Sequence, residues 1–312
     1  MVTVVHIYHD GAEEVAATLG RVAPERRVVV CPPVVGDALA EAEVLFASVP
    51  VPADLAKAER LRLIQLMGVG AESVMGAPEI RPDVAIAGLG DTFAAETSEY
   101  VLAMMLAHCR ALPTLVRRQD QKMWRQFGAA TLAGTTLGVL GLGQIGGRVA
   151  ALAHAFGMHV IGMRRSPAPV PHVQEVLGPE GLPSILSRVD YAAVCMPLTP
   201  ETRGMLDAAA LSHLRPHAVL VHVGRGGIVD EHALLEMLRE GRLGGAAIDV
   251  FQQEPLPRHS PLWEAPNTLV TPHLAGLGRR YLERAAEVLS INLQRLDRGE
   301  PPLFAIDRER GY

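Results

Sequence analysis

The chain has 312 residues, 49% of them hydrophobic and 20% charged, with a formal net charge of −5. That length accommodates two domains of ordinary size, and that balance belongs to a soluble globular protein. A mildly acidic chain with no long basic run lacks the concentrated positive face that nucleic acid needs. No uninterrupted eighteen-residue apolar run is present to cross a membrane.

The opening residues, MVTVVHIYHD, carry no basic segment ahead of a long apolar stretch, so they read as a first strand and not a secretory leader. A polar–apolar stretch from Gly11 to Gly20 follows, and then the runs RRVVVC, VLFASV, LRLIQLM and VAIAG. Short apolar runs bounded by Gly, Pro and Asp and alternating with helical segments predict parallel strands covered on both faces. Glu96–Arg118 predicts one long helix with a kink or break at Pro113.

A second alternating series supplies the strands TTLGVLGL, HVIGM, DYAAVCM, AVLVHVG, GAAIDV and TLVTPH, with helices near Gln144–Gly157, Asp207–Leu214 and Glu231–Glu240. Six parallel strands with crossover helices make a doubly wound sheet. RRYLERAAEVLSINLQRLDRGE is a last amphipathic helix. The expected fold class is α/β, with two doubly wound parallel-sheet domains: a Rossmann nucleotide-binding domain and a smaller flavodoxin-like substrate domain. Residues 1–95 would form the first segment of the substrate domain, 96–276 the nucleotide domain, and 277–312 a helix returning to the substrate domain. Cys31, Cys109 and Cys195 are scattered without CxxC spacing. They read as small buried hydrophobes in a reducing compartment, which predicts a cytoplasmic protein.

GLGQIG, Gly141–Gly146, lies between the strand TTLGVL and the helix QIGGRVAALAHAFG. A bare GxGxxG carries little weight, but strand before and helix after are the setting of a dinucleotide site. Gly141 permits the tight turn, Gly143 lets backbone approach a pyrophosphate, and Gly146 lets helix and strand pack closely. The helix N-terminus adds amides and positive potential. About twenty residues on, an NAD site usually has an acid for the ribose hydroxyls. Here Arg164, Arg165 and Ser166 follow HVIGM. A guanidinium binds a 2′-phosphate bidentately and a hydroxyl adds a hydrogen bond, so NADP(H) is expected to be preferred over NAD(H). The bland alternative is a pair of solvated arginines with NADH bound indifferently.

Arg225 follows the strand in VHVGRGGIVDEHALL, Asp249 ends another in GAAIDVFQQEPLP with Glu254 in the loop beyond, and TPHLAG places His273 after the last. Alone, His273 would be an ordinary loop histidine. Beside a carboxylate and an arginine at neighbouring strand ends it has the makings of a proton donor, since imidazole exchanges protons near neutrality. A carboxylate on its other nitrogen would orient the ring and stabilise the imidazolium, and a permanent planar cation suits an anionic group or developing negative charge.

From about Ala53 to Leu296 the chain resembles the D-isomer-specific 2-hydroxyacid dehydrogenases. GTTLGVLGLGQIG, MPLTPETRGML, VGRGGIVDE, DVFQQEPLP and VTPHLAG match that family's blocks in order, and DTFAAETSEYVL is similar to its glyoxylate/hydroxypyruvate reductases. The resemblance implies that Arg225, Glu254 and His273 are catalytic and that Asp249 holds the nicotinamide carboxamide. It implies further cofactor contacts from Gln144, Ile145, Pro197, Thr202, Val223, Gly224, Arg225 and His273. In MGVGAES it makes Val69 and Gly70 the backbone holders of the substrate carboxylate, with Arg225 and His273 also meeting the substrate. Glu72 departs from the Asp common in the family, and Gly88 from an Asn found in many members.

The expected activity is NAD(P)H-dependent reduction of a small 2-keto acid, glyoxylate or hydroxypyruvate. The alternatives are an NAD-linked dehydrogenase of another D-2-hydroxy acid and a non-catalytic dinucleotide-sensing binding protein. The resemblance also implies a homodimer joined through Glu96–Arg118 and the following QDQKMW, and the length predicts no appended regulatory domain. Trp124 and Trp263 read as packing residues and Met104 and Met105 as core. No set of His, Cys and carboxylates has metal-ligand spacing.

Overall fold

The computed structural model describes residues 4–8, 11–30, 36–47, 55–68, 70–71, 74 and 77–308. The chain divides into two compact units, one formed by Met1–Phe93 with Gly278–Tyr312 and the other by Ala94–Leu277. Among the described residues no helix is long and apolar enough to cross a membrane.

The first unit begins with β1 (Val4–Tyr8), α1 (Ala12–Val22), β2 (Arg27–Val30), β3 (Val44–Ala47), β4 (Leu63–Leu66) and β5 (Ala85–Ala87). These strands form a parallel sheet in the order β2-β1-β3-β4-β5, which is the flavodoxin-like order. Side chains alternate across a strand, so neighbouring residues serve opposite faces. Phe46 and Leu63 join one apolar cluster while Leu45 and Ile64 join another.

The second unit begins with α2 (Ala94–Cys109) and α3 (Leu112–Asp120). The helix expected over 96–118 with a kink or break at Pro113 is two helices. The break precedes Pro113: α2 stops at Cys109, Ala111 turns into the left-handed region at φ 52°, and Pro113 sits in the first turn of α3, where its missing amide costs nothing.

Then come β6 (Thr136–Leu140), α4 (Gln144–Ala155), β7 (His159–Met163), β8 (Glu175–Leu177), α5 (Leu182–Leu186), β9 (Tyr191–Val194), α6 (Ala208–Leu211), β10 (Val219–His222), α7 (Glu231–Arg239), β11 (Gly245–Ile248) and β12 (Thr268–Val270). The sheet has seven strands, ordered β12-β11-β10-β9-β6-β7-β8, with every pairing parallel. The extra strand over the expected six is β8, a three-residue edge whose side chains are only half-buried.

Leu140, Val194, Leu220 and Ile248 bury into one face of this sheet, and Val139, Ala193, Val221 and Ala247 into the other. Each fully buried large side chain of this kind is worth about 1.5–3 kcal/mol. Met105 is fully buried on the α2 side and Met104 partly so. Acidic caps start the short helices: Asp207 accepts the Ala210 amide, and Asp230 accepts those of His232 and Ala233. Finally α8 (Tyr281–Asp297) returns to the first unit, where Ala285, Leu289 and Leu293 pack with Val5, Ile7 and Leu19.

Candidate active site

The strand order of the larger sheet reverses between β6 and β9, and ligands of such sheets bind beyond the strand carboxyl ends at that point. The turn after β6 carries the glycine run. Gly141 lies at φ 104°, a conformation that strains any side chain, and a Cβ there would press on the Met196 main chain at 2.7 Å. A Cβ on Gly146 would collide with the Gly141 carbonyl, so only glycine lets α4 begin this close to β6. On Gly143 a Cβ would meet nothing within 4 Å, which leaves that side of the turn open. Gln144 is exposed and Ile145 half-buried in the first turn of α4. An open glycine face before the N-terminus of a twelve-residue helix fits a pyrophosphate.

Beyond β7, Arg164 is half-buried, with its amide bonded to the Leu177 carbonyl at 3.1 Å, while Arg165 and Ser166 are exposed. The loop after β9 approaches them. Glu201 is held below the usual carboxylate range chiefly by a Thr199 hydrogen bond, and the Arg165 charge acts in the same direction. In that loop Pro197 is exposed, and the Thr202 hydroxyl donates to the Pro197 carbonyl at 2.7 Å and accepts the Thr199 amide at 2.8 Å. That hydroxyl is committed to closing the loop.

Three neighbouring strands, β10, β11 and β12, deliver Arg225, Asp249 and His273 at the same sheet edge, and the loop after β11 adds Glu254. His273 Nδ1 lies 2.7 Å from Glu254 Oε2. The other Glu254 oxygen accepts the Phe251 amide at 2.9 Å. Burial alone would raise the Glu254 carboxyl, but the hydrogen bonds from His273 and Phe251, with the charge of Arg225, hold it below the usual range. An ionised carboxylate only accepts, so Nδ1 carries the proton in this pair and Nε2 is the nitrogen turned to other business. Both side chains remain substantially accessible, His273 at 46% and Glu254 at 36%.

Arg225 is half-buried, and its Nη1 donates to the Gly224 carbonyl at 2.7 Å; Val223 and Gly224 beneath it are buried. Asp249 is 1% exposed. Its Oδ1 accepts the Thr271 hydroxyl at 2.6 Å and the Leu274 amide at 2.9 Å, and its Oδ2 accepts the Ala275 amide at 2.9 Å.

Of the substrate-loop pair, Val69 lies outside the described residues, as does Glu72. Gly70 is described, half-buried in the coil that follows β4 in the other unit. Just before it, the Gly68 carbonyl accepts the Leu89 amide at 3.1 Å, and the Met67 carbonyl accepts the Tyr281 hydroxyl. The cysteines are partly as expected: Cys109 is buried and Cys195 half-buried, both free thiols, while Cys31 lies outside the described residues.

The two tryptophans do not pack as expected. Trp124 is 93% exposed in a segment without regular structure, and Trp263 is 49% exposed with its Nε1 bonded to the Pro257 carbonyl at 2.9 Å. Nothing else in its unit covers the ring of Trp124, because residues 121–131 are exposed throughout. Sequence reasoning also missed Tyr100, Thr271 and His222. The Tyr100 hydroxyl donates to Thr271 Oγ1 at 2.6 Å, extending the Thr271–Asp249 bond into α2. Thr271 was within reach of a reading, two residues before His273; Tyr100 and His222 carried no such signal.

A glycine turn at the reversal point of a parallel sheet, with a histidine–carboxylate pair and an arginine at adjacent strand ends, defines a dinucleotide-dependent oxidoreductase. The family model for the D-isomer specific 2-hydroxyacid dehydrogenase NAD binding domain matches residues 102–275, more than half the chain. The chain belongs to the D-isomer specific 2-hydroxyacid dehydrogenase family, NAD(P)-dependent oxidoreductases acting on CH–OH donors.

It is 33% identical over 264 residues to glyoxylate/hydroxypyruvate reductase A of Serratia proteamaculans, covering 83% of this chain and 84% of that one. It is 32% identical over 249 residues to D-3-phosphoglycerate dehydrogenase of Methanocaldococcus jannaschii, covering 78% of this chain; the chain spans about half that relative's length, at 47%. The crystal structure of the NADPH-dependent glyoxylate/hydroxypyruvate reductase of Sinorhizobium meliloti, in complex with NADP and sulfate, superposes with a TM-score of 0.87 at 30% identity. It covers 99% of this chain and all of that one.

Proposed function

We propose that this enzyme reduces a small 2-keto acid, glyoxylate or hydroxypyruvate, to the D-2-hydroxy acid, with NADPH favoured over NADH. The observation that carries the reading is the 2.7 Å His273–Glu254 pair with Arg225 on the neighbouring strand end. When bound, the nicotinamide supplies the hydride to the substrate carbonyl carbon. His273 Nε2 gives a proton to the carbonyl oxygen as it becomes an alkoxide, and Glu254 keeps the ring oriented and stabilises its charged form. Arg225 binds the keto acid and offsets the developing oxyanion. The Val69 and Gly70 amides take the substrate carboxylate, Asp249 takes the carboxamide, and Arg164, Arg165 and Ser166 take the 2′-phosphate. The NADP held by the Sinorhizobium relative supports the last assignment.

The same reading places the enzyme in the cytoplasm as a homodimer. Within the span expected on the sequence, the second half is the part with apolar groups to offer a partner. α2 spends its apolar residues inside its own unit, with Val101, Leu102 and Met105 buried. Leu112, Leu115 and Val116 of α3 and the following Met123, Trp124 and Phe127 are the exposed apolar groups. Initial rates on a panel of 2-keto acids with NADH and with NADPH test the activity. A monomer at every concentration in sedimentation would remove the dimer.

A further inference from the structure

We infer that His222 is a positioning residue whose ring fixes the main chain at Arg225 and so aims the guanidinium toward the substrate. This rests on the role proposed above for Arg225. His222 is the last residue of β10, and it is 3% exposed. Its Nε2 lies 3.1 Å from the Arg225 carbonyl oxygen. A carbonyl only accepts, so Nε2 carries the proton. Burial pushes the imidazole down to about 4, with the Arg225 charge acting in the same direction, so the ring is neutral and that proton is its only one. Nδ1 has no hydrogen-bond partner among the described residues.

The Ile228 amide reaches the same carbonyl at 3.4 Å, longer than the His222 contact, and the turn beyond is closed by the Gly204 amide on the Gly227 carbonyl at 2.8 Å. The guanidinium leans on the peptide just before, through its bond to the Gly224 carbonyl, so the two carbonyls flank the Arg225 Cα and a ring that holds the second fixes one side of the residue that carries the guanidinium. His222 also reaches the other half of the site, because its main-chain carbonyl accepts the Asp249 amide at 3.0 Å.

A ring that merely filled the core would be replaced without loss by phenylalanine, whereas a donor to Arg225 is replaced by glutamine, whose Nε2 reaches a similar distance. His222→Phe is expected to raise KM for the keto acid about tenfold and lower kcat by less than about threefold, with NADPH affinity unchanged in a fluorescence titration. His222→Gln is expected to return KM to within about threefold of the parent. On an Arg225→Lys background, His222→Phe is expected to add less than about twofold, because both changes act through one side chain.

A KM within about twofold of the parent in His222→Phe, failure of glutamine to recover it, or full additivity with Arg225→Lys overturns the assignment. Crystal structures of the two variants decide it without turnover: the Arg225 carbonyl should rotate in the phenylalanine variant and return in the glutamine variant. An unmoved peptide overturns the inference even if no keto acid is reduced, and absent turnover in the parent counts against the proposed reaction instead. Should the phenylalanine variant not fold, the nitrogen-15 spectrum of the parent settles the point, since a proton on Nδ1 is incompatible with donation from Nε2.

Discussion

The Asp249 carbonyl accepts the His273 amide at 2.8 Å while the Asp249 carboxylate accepts the next two amides, so His273 is held at φ 50° by contacts that never touch its ring. A non-glycine residue in the left-handed region costs on the order of 1–3 kcal/mol and persists only where its surroundings over-determine it. Charge-assisted hydrogen bonds are worth about 1.5–3 kcal/mol each, so two of them exceed that cost. Asp249 is thus a clamp on the loop that carries His273 before any ligand arrives.

The clamp has an outer link that can be cut in steps. Burial pushes the Tyr100 hydroxyl up to about 12, so it stays a protonated donor to Thr271 at working pH. Tyr100→Phe leaves the Thr271–Asp249 bond in place and should cost about 0.5–1.5 kcal/mol. Thr271→Val removes that bond as well and should cost about 1.5–3 kcal/mol and more of kcat. Paired thermal melts and initial rates check the order; equal losses in the two variants would mean that the chain is not a chain.

His273→Ala should reduce turnover on the order of a hundredfold or more while cofactor still binds. Turnover within about twofold of the parent would take His273 out of the mechanism. Glu254→Gln removes the negative charge facing Nδ1, so the imidazolium loses a stabilising neighbour. The pH–rate profile of keto-acid reduction should therefore change along with the rate. A superimposable pH–rate profile would uncouple the two groups.

Arg164→Asp should shift preference from NADPH toward NADH, because the new carboxylate accepts from ribose hydroxyls and repels a 2′-phosphate. A charge-assisted contact of about 1.5–3 kcal/mol would correspond to roughly ten- to hundredfold in affinity, less if solvent screens the half-buried guanidinium. The measurement is the ratio of kcat/KM for the two cofactors in parent and variant. A parent that prefers NADH would leave these arginines as surface charge.

Asp190 gives a stability prediction far from the chemistry. Burial would raise its carboxyl, but the Thr136 amide at 2.8 Å, His217 at 2.7 Å and the Arg215 charge outweigh that and hold it below its ordinary value. A depressed carboxyl stabilises the fold fully above its unfolded pKa of about 3.9, and that contribution is lost as pH falls through the lower folded value. Asp190→Asn should therefore be less stable near neutrality by about 1–2 kcal/mol. The gap to the parent should narrow on acidification below about pH 4. A gap that stays constant across that range would assign it to something other than this charge.

Much of this was legible in the sequence because strands here are apolar runs closed by breakers, and because the site residues sit at strand ends beside recognisable words. Residues Leu140, Gly141 and His273 announce themselves in that way. What stayed hidden has physical reasons. β8 is three half-buried residues at an edge, too short to show a period, and α5 spans only Leu182–Leu186. The α2–α3 break is set by the left-handed turn at Ala111, which no composition rule places. Tyr100 and Thr271 are 171 residues apart in sequence, and His222 acts through a main-chain carbonyl; neither relation leaves a spacing to read.

The return of α8 to the first unit sets an order of assembly. Residues 94–277 are contiguous and carry their own core, so that unit can fold while the rest is still being made. The first unit cannot finish then: Val5, Ile7 and Leu19, made before the second unit, wait for Ala285, Leu289 and Leu293, made after it. Loop-closure entropy grows only logarithmically with length, so the long excursion is itself a modest thermodynamic burden. Its weight falls on the nascent chain, whose early apolar strands stay without their helix until residues 281–297 have been made.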